Sequence, residues 1–139
     1  MDNLDWAEIL IDLNLSHNKI SEIQRIPNSY CLLDLDLSYN RIYEMENIDC
    51  GLYYLNLSNN RITDIKGLQY SRNLEILDLS NNKIKYIEGL DKLKNLKELY
   101  LNKNKIEYIE GLDNLHNLEI LDLSNNKIKC TDGLKVLNK

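Results

Sequence analysis

One asparagine recurs at a nearly constant interval along this chain, and its spacing limits the possible folds more than any other feature of the sequence. The recurring residues are Asn18, Asn40, Asn60, Asn82, Asn104 and Asn126, at steps of 22, 20, 22, 22 and 22 residues. A fixed period of this length is the signature of a repeat protein, in which each copy stacks on the next. The chain is therefore expected to form a solenoid of six copies.

The same apolar frame surrounds each asparagine. In one-letter code it reads LxxLxLxxNxIxxIxGL, as residues 74–90 show in full. Its LxL core alternates apolar and polar residues, which is typical of a half-buried strand. The chain has 27 Leu and 16 Ile but only one Ala, one Val and no Phe, which indicates one packing environment repeated many times. These patterns predict parallel strands stacked about 4.8 Å apart.

The recurring asparagine follows the strand, where the chain bends inside the coil. Its side-chain amide both donates and accepts, so it can satisfy backbone groups that the bend leaves unpaired. Replacing Asn82 by Leu is therefore expected to destabilise the fold. The residue directly before each recurring asparagine is not part of the frame, so Asn59→Leu is expected to be nearly neutral.

A glycine column and a short polar segment follow each asparagine. Gly67, Gly89, Gly111 and Gly133 fall where the return segment turns, and glycine readily takes the positive φ angles that such bends need. The segments that follow, such as residues 91–96, are too short for full helices. They predict 3₁₀ turns on the outer side of the coil.

The frame resembles the leucine-rich repeat over nearly the whole chain. The resemblance implies an α/β solenoid: a horseshoe arc with six parallel strands on the concave face and short 3₁₀ turns on the convex side. Residues 1–8 are expected to be a short N-terminal flank with one helical turn capped by Asn3. Residues 9–139 are expected to be the six repeats, with no evident C-terminal cap. A fragment, a reduced protein with a frayed end and a subunit covered by a partner all remain open interpretations.

Composition excludes several classes of protein. No apolar run approaches the roughly 18 residues needed to cross a bilayer, and no signal peptide is evident. Cys31, Cys50 and Cys130 are irregularly spaced, which fits neither a disulfide framework nor a metal site and favours an intracellular setting, cytoplasmic or nuclear. The net charge of −5 makes direct nucleic-acid binding an unfavourable interpretation.

No catalytic or cofactor site is predicted. His17 is expected on the concave edge and His116 on the convex side, so the two imidazoles would not meet. The serines near the strands have no base at a matching position, as nucleophilic catalysis would require. Asp34 and Asp36 are expected to lie close together, but a Ca²⁺ or Mg²⁺ site needs more converging oxygens. We therefore expect a non-enzyme without a metal or a cofactor.

The outward side chains of the strands form the candidate partner-binding surface, because Cβ directions alternate along a strand. They combine acidic, tyrosine and isoleucine side chains without a basic one, which predicts a protein partner with a basic or mixed surface. The predicted partner-binding residues are Asp12, Asp34, Asp36, Tyr54, Ile76, Asp78, Glu98, Tyr100, Ile120 and Asp122. Solvated strand residues without any partner are the simpler interpretation of the same columns.

A basic residue directly follows each recurring asparagine. These cations could line one edge of the solenoid and attract an anionic strip, but solvated charge that keeps the loops soluble is the favoured interpretation. The basic edge consists of Lys19, Arg41, Arg61, Lys83, Lys105 and Lys127.

Within leucine-rich repeats, residues 87–102 and 105–112, with their IEGL and IEYIEGL motifs, resemble the subfamily of the nuclear regulatory subunit of type 1 protein phosphatase. The same signature occurs in the outer-arm dynein light chain, the spliceosomal A-prime protein and bacterial internalins, and IEGL favours the eukaryotic group. The resemblance implies non-catalytic protein recognition on the concave face, with Asp78, Glu98, Tyr100 and Asp122 at positions that would hold a phosphatase. The alternative is a structural subunit of a ribonucleoprotein or axonemal assembly, held through its ends, including an uncapped C-terminal edge, and its basic edge.

Overall fold

The structure, a computed structural model, describes residues 10–23, 31–46, 48 and 51–137. Six short strands form one parallel sheet in chain order. They are β1 (Asp12–Asn14), β2 (Asp34–Asp36), β3 (Tyr54–Asn56), β4 (Ile76–Asp78), β5 (Glu98–Tyr100) and β6 (Ile120–Asp122). The fold class predicted from the repeat is confirmed.

The strands pair in strict register. The central leucine of each strand lies opposite the central leucine of the next, from Leu13 and Leu35 at one edge to Leu99 and Leu121 at the other. Because side chains alternate, these leucines point into the coil and their flanking residues point outward. The register therefore places equivalent residues of successive repeats in straight columns across the sheet.

The core is a stack of Leu and Ile layers between the strands and the return segments. In the middle repeats the layer residues are fully buried, as Leu77, Ile84 and Leu90 show. Equivalent residues in the first and last strands, such as Leu13 and Leu121, are only partly buried. This difference is expected when each repeat buries its apolar side chains only against its neighbours.

The recurring asparagine does what its position predicts. Asn82 Nδ2 donates to the carbonyl oxygens of Leu57 at 2.9 Å and Leu79 at 3.1 Å, and its Oδ1 accepts the Ile62 N–H at 2.9 Å. One side chain thus joins the backbones of two adjacent repeats. The same contacts recur at Asn40, Asn60 and Asn104, which are also buried.

The expectation for Asn59→Leu needs correction. Asn59 has a φ of 58°, in the left-handed region that non-glycine residues rarely adopt. Asparagine tolerates this backbone better than leucine, because its short polar side chain can hydrogen-bond locally, as Asn59 Nδ2 does to Ser58 Oγ at 3.2 Å. The substitution is therefore expected to be mildly destabilising and not neutral.

The glycine column serves two purposes. Gly67, Gly89 and Gly111 have φ angles of 85°, 76° and 71°, which confirms the predicted bend. Gly133 is not among the residues with positive φ, so the predicted reason does not hold there. A Cβ on Gly133 would collide with the carbonyl oxygen of Ile109, as it would with the equivalent carbonyl oxygens at the other three glycines, and at Gly133 this close approach alone requires glycine.

The convex side contains the short turns that the sequence predicts. Leu93 N–H donates to the Leu90 carbonyl at 2.9 Å and Leu96 N–H donates to the Leu93 carbonyl at 3.0 Å, so this return segment makes single 3₁₀-type turns, and residues 68–74 and 112–118 make equivalent ones. A longer 3₁₀ helix, Asp132–Leu137, follows the last strand. Leu134 and Leu137 of this helix line an apolar depression of about 450 Å³ at that end of the core.

The convex side also carries an amide ladder that the sequence did not predict. Asn95 Nδ2 donates to the Arg72 carbonyl at 3.0 Å, and Asn117 Nδ2 donates to the Lys94 carbonyl at 2.8 Å.

The N-terminal flank, with the helical turn predicted at Asn3, lies outside the described residues.

Candidate functional site

All ten predicted partner-binding residues lie on the outward face of the sheet, in two columns. The residue before each central leucine forms the first outward column: Asp12, Asp34, Tyr54, Ile76, Glu98 and Ile120. The residue after it forms the second outward column: Asn14, Asp36, Asn56, Asp78, Tyr100 and Asp122. The register therefore brings the predicted residues together as one continuous surface.

The second outward column has a structural duty that sequence reasoning missed. Asp78 Oδ1 accepts the backbone N–H of Ser80 at 2.8 Å, and Asp36 Oδ1 accepts that of Ser38 at the same distance. Asn14, Asn56 and Asp122 make the equivalent bond, so five of the six repeats use it. Aspartate and asparagine commonly bond their own backbone two residues on, and this turn explains their frequency here.

Tyr100 occupies the second outward column in the repeat that lacks this bond. Its hydroxyl donates to Glu98 Oε2 at 2.8 Å, across the same strand. That hydrogen bond raises the pKa of Tyr100 above its ordinary value of 10, with burial and the nearby carboxylates of Asp78 and Asp122 adding to the effect. This phenol therefore lies in a negatively charged environment, made mainly by Glu98 on its own strand and to a smaller extent by Asp78 and Asp122 on the neighbouring strands.

Tyr54 lies near the middle of the first outward column, beside Ile76 on the next strand. Burial is the main cause of its raised pKa, and the carboxylates of Asp36, Asp78 and Asp34 raise it further. A depression of about 440 Å³ opens at this point between the first four strands, and its lining includes Asp12, Asp34, Asp36, Tyr54 and Ile76. The concave face thus combines an apolar centre with surrounding carboxylates.

The first outward column differs in its bonding. Among the described residues, neither Asp12 nor Asp34 makes a side-chain hydrogen bond or ion pair, and Ile120 is 43% exposed. Nothing in the local fold requires these particular side chains. A contact with another molecule therefore explains the acidic and apolar residues at these positions better than the local fold does. In the second outward column, the turn bond already explains the residue type.

A further column next to the concave face was not predicted to be special. Its six residues all have φ between 52° and 58°: His17, Tyr39, Asn59, Asn81, Lys103 and Asn125. The rings of His17 and Tyr39 stack at 4.3 Å with an interplanar angle of 9°. The three asparagines in this column could have indicated the positive φ angles from the sequence, because asparagine tolerates left-handed backbone better than most residues.

The basic edge lies beyond this column, at the start of the return segments. Each of its six side chains is exposed. Backbone bonds from Lys83 N–H to Ile62 O and from Lys105 N–H to Ile84 O, both 2.8 Å, hold successive positions in line. The cations thus form a row separate from the concave carboxylates.

The two histidines lie apart, and no metal-binding cluster is found among the described residues. Among them, no set of three His, Cys, Asp or Glu side chains is arranged to hold a metal ion. His17 lies in the stacked pair near the concave face, whereas His116 lines a small depression with Leu115 and Val136 beside the 3₁₀ helix. In the same part of the chain, no helix is long and apolar enough to span a membrane. Cys31 and Cys130 are free thiols.

Comparison with known families agrees with this geometry. One leucine rich repeat model matches residues 50–106, and a second, of two repeat copies, matches residues 94–136. Together with the six-stranded solenoid, these matches identify the chain as a leucine-rich-repeat protein. Proteins of this class generally mediate protein–protein interactions.

Several solved structures resemble the chain. An internalin, InlF, from Listeria monocytogenes is 29% identical with a TM-score of 0.79, and the alignment covers 88% of this chain and 36% of that one. Internalin C2 from the same species is 28% identical with a TM-score of 0.68, covering 92% and 67% of the two chains. A leucine-rich-repeat protein of Leptospira interrogans is 28% identical with a TM-score of 0.79, covering 99% and 38%.

The chain thus spans little more than a third of InlF and of the Leptospira protein. No curated protein sequence matches it. These similarities establish the repeat class and the fold. They do not confirm the resemblance to the phosphatase regulatory subfamily, and the internalins belong to the group that the IEGL motif was expected to disfavour.

Proposed function

We propose that this chain is a non-catalytic protein-recognition module that binds a basic segment of a partner protein on its concave face. One observation carries the proposal: the two outward columns hold six carboxylates and no basic side chain. Such a surface attracts a basic partner and disfavours an acidic one.

The shape of the face supports a segment and not a whole domain. Six strands with five gaps of about 4.8 Å give a sheet roughly 24 Å wide. That width accommodates one helix or loop. Tyr54 and Ile76 provide a half-buried apolar contact at its centre, and tyrosine is enriched among residues that contribute strongly to binding. We therefore expect a partner segment with an apolar side chain between basic ones.

Asp12 and Asp34 of the first outward column supply the sharpest test, because their side chains make no hydrogen bond or ion pair with the described residues. The probe is a fluorescein-labelled peptide of six lysines with one central leucine, and its anisotropy measures binding. Asp12→Lys with Asp34→Lys should weaken binding about tenfold or more, since both carboxylates line the central depression. The matched control is Glu88→Lys with Glu110→Lys, which makes the same change in net charge at exposed flank positions. An equal loss in both variants would contradict a concave site.

The finer form of the proposal is regulation of type 1 protein phosphatase in an intracellular setting. It rests on the resemblance of the IEGL-containing repeats to that regulatory subunit and on the cysteine usage. The test is direct binding of the purified phosphatase catalytic subunit. Glu98→Lys should weaken that complex and Glu88→Lys should not. No binding by the unaltered chain would remove this form and leave the general one intact.

A structural subunit of a larger assembly is the competing function. It predicts that contacts are made by the ends and the basic edge. In that case Lys83→Glu with Lys105→Glu would release the chain from the complex purified from its native cells. Asp12→Lys with Asp34→Lys would leave it in place.

A further inference from the structure

A small pocket lies on the flank of the last three repeats, away from the concave face. Its volume is about 230 Å³, and it is lined by Lys85, Tyr86, Lys105, Glu107, Tyr108 and Lys127. We refer to it as the flank pocket. Three ammonium groups and two tyrosine rings therefore surround one carboxylate.

That carboxylate is already engaged. Lys129 Nζ lies 2.6 Å from Glu107 Oε2, and the same ammonium group lies 5.6 Å from the centre of the Tyr108 ring. The bond from Lys129 lowers the pKa of Glu107, and the positive charges of Lys127 and Lys85 lower it further. In the part of the chain that the structure describes, Lys85, Lys105 and Lys127 have no acidic partner within 4.0 Å. The pocket therefore keeps an excess of positive charge.

The flank changes character between the two halves of the solenoid. Four positions after the recurring asparagine, the first three repeats carry Glu22, Glu44 and Asp64, whereas the next two carry Tyr86 and Tyr108. Acids therefore accompany Lys19, Arg41 and Arg61 on the same flank, and tyrosines accompany Lys83 and Lys105. The basic edge is uniform in sequence, but the position four residues after the recurring asparagine is acidic only in the first three repeats.

We propose that the flank pocket binds an acidic side chain carried by an acidic peptide segment of a protein partner. The lysines attract the carboxylate, and Tyr86 and Tyr108, which are 53% and 51% exposed, offer apolar ring surface to the neighbouring residues of the peptide. This site has the opposite charge preference to the concave face and does not depend on it.

The limits of the pocket favour a short peptide over a nucleic acid. Three repeats span only about 10 Å of the row. A longer anionic strand would run into the acids of the first three repeats, and Glu88 and Glu110 follow the tyrosines by two positions. The net charge of −5 also disfavours a long polyanion.

Binding of a fluorescein-labelled hexaglutamate peptide, measured by anisotropy at about 50 mM salt, tests the proposal. Lys105→Glu with Lys127→Glu should weaken binding about tenfold or more. The matched control is Arg41→Glu with Arg61→Glu, which changes the same column and the same net charge in repeats that have acidic neighbours. The control should change affinity less than twofold. Thermal melts of both exposed pairs check that the fold is retained.

A third variant separates the pocket from a general charge effect. Tyr86→Ala with Tyr108→Ala leaves every charge in place and should weaken hexaglutamate binding severalfold, with an unchanged salt dependence. Equal losses in the two lysine and arginine pairs, an unaffected tyrosine variant, or no binding by the unaltered chain would each overturn the proposal. So would tighter binding of a hexathymidylate oligonucleotide, which would assign the pocket to nucleic acid.

Discussion

The interior asparagine column and the first outward column repeat with the same register, yet their contents differ completely. The interior column holds the same residue in all six repeats, whereas the first outward column reads Asp, Asp, Tyr, Ile, Glu, Ile. The interior side chain bonds the backbones of two repeats, as Asn82 shows. The outward side chains of Asp12 and Asp34 make no such bond among the described residues. The residue type is therefore constant where its side chain bonds the backbone of the fold, and it varies where the side chain makes no such bond.

The second outward column lies between these extremes. It holds Asp or Asn in five repeats, because a side-chain oxygen at this position accepts a backbone N–H two residues on. Either residue makes the turn, so the turn does not require the negative charge of Asp78. That charge is therefore available for binding a partner. Substitutions at the three columns should therefore have graded effects on stability, whereas binding should be weakened by substitutions at either of the two outward columns.

The largest effect is expected at the interior column. Asn82→Leu leaves the buried Ile62 N–H without a partner, at about 1–3 kcal/mol, and removes one of the two amide hydrogen bonds to the Leu57 carbonyl, to which Asn60 Nδ2 still donates. We expect a loss of about 3 kcal/mol in the free energy of unfolding, measured by urea denaturation. The same change at Asn126, which is only partly buried, should cost less because water can reach the freed groups. Equal losses at both positions would contradict the role of burial.

An intermediate effect is expected at the second outward column. Asp78→Ala removes the 2.8 Å bond to the Ser80 N–H and should lower the free energy of unfolding by about 1–2 kcal/mol. Asp78→Asn keeps an acceptor and should restore most of that stability, while still weakening binding of the lysine-rich peptide. If the asparagine variant were as unstable as the alanine variant, the charge and not the turn would be the structural requirement.

A smaller effect is expected at the first outward column. Asp34→Asn should change the free energy of unfolding by less than about 0.5 kcal/mol, since surface substitutions away from specific contacts are usually of that size. Binding of the lysine-rich peptide should nevertheless fall about as much as it does in Asp78→Asn. A stability loss as large as that of Asp78→Ala would show that the two outward columns do not differ.

The same grading explains what the sequence could predict. The strands, their register and the asparagine contacts follow from a repeated frame, because each copy meets an identical neighbour. The turn bond of Asp78 and the left-handed backbone of Tyr39 and Lys103 depend on how the chain bends after each strand, and residue type alone indicates this poorly. The flank pocket combines residues about 20 apart that belong to no apolar frame. The sequence pattern predicted the basic edge as one uniform row and did not indicate that Tyr86 and Tyr108 lie beside its lysines.

The smallest effect concerns the two tyrosines of the concave face, whose pKa values are raised for different reasons. The hydrogen bond to Glu98 is the main cause for Tyr100, and burial is the main cause for Tyr54. A phenol with a raised pKa in the folded state contributes stability that is present below its ordinary pKa of 10 and is lost as the pH rises through the folded value. Glu98→Gln should therefore lower the pKa of Tyr100 toward 10 and leave that of Tyr54 nearly unchanged, as followed by NMR of ring-labelled tyrosines during alkaline titration. An equal fall in the pKa of both tyrosines would mean that the carboxylates act together on the whole face. The hydrogen bond from Tyr100 to Glu98 would then not be the main cause of the raised pKa of Tyr100.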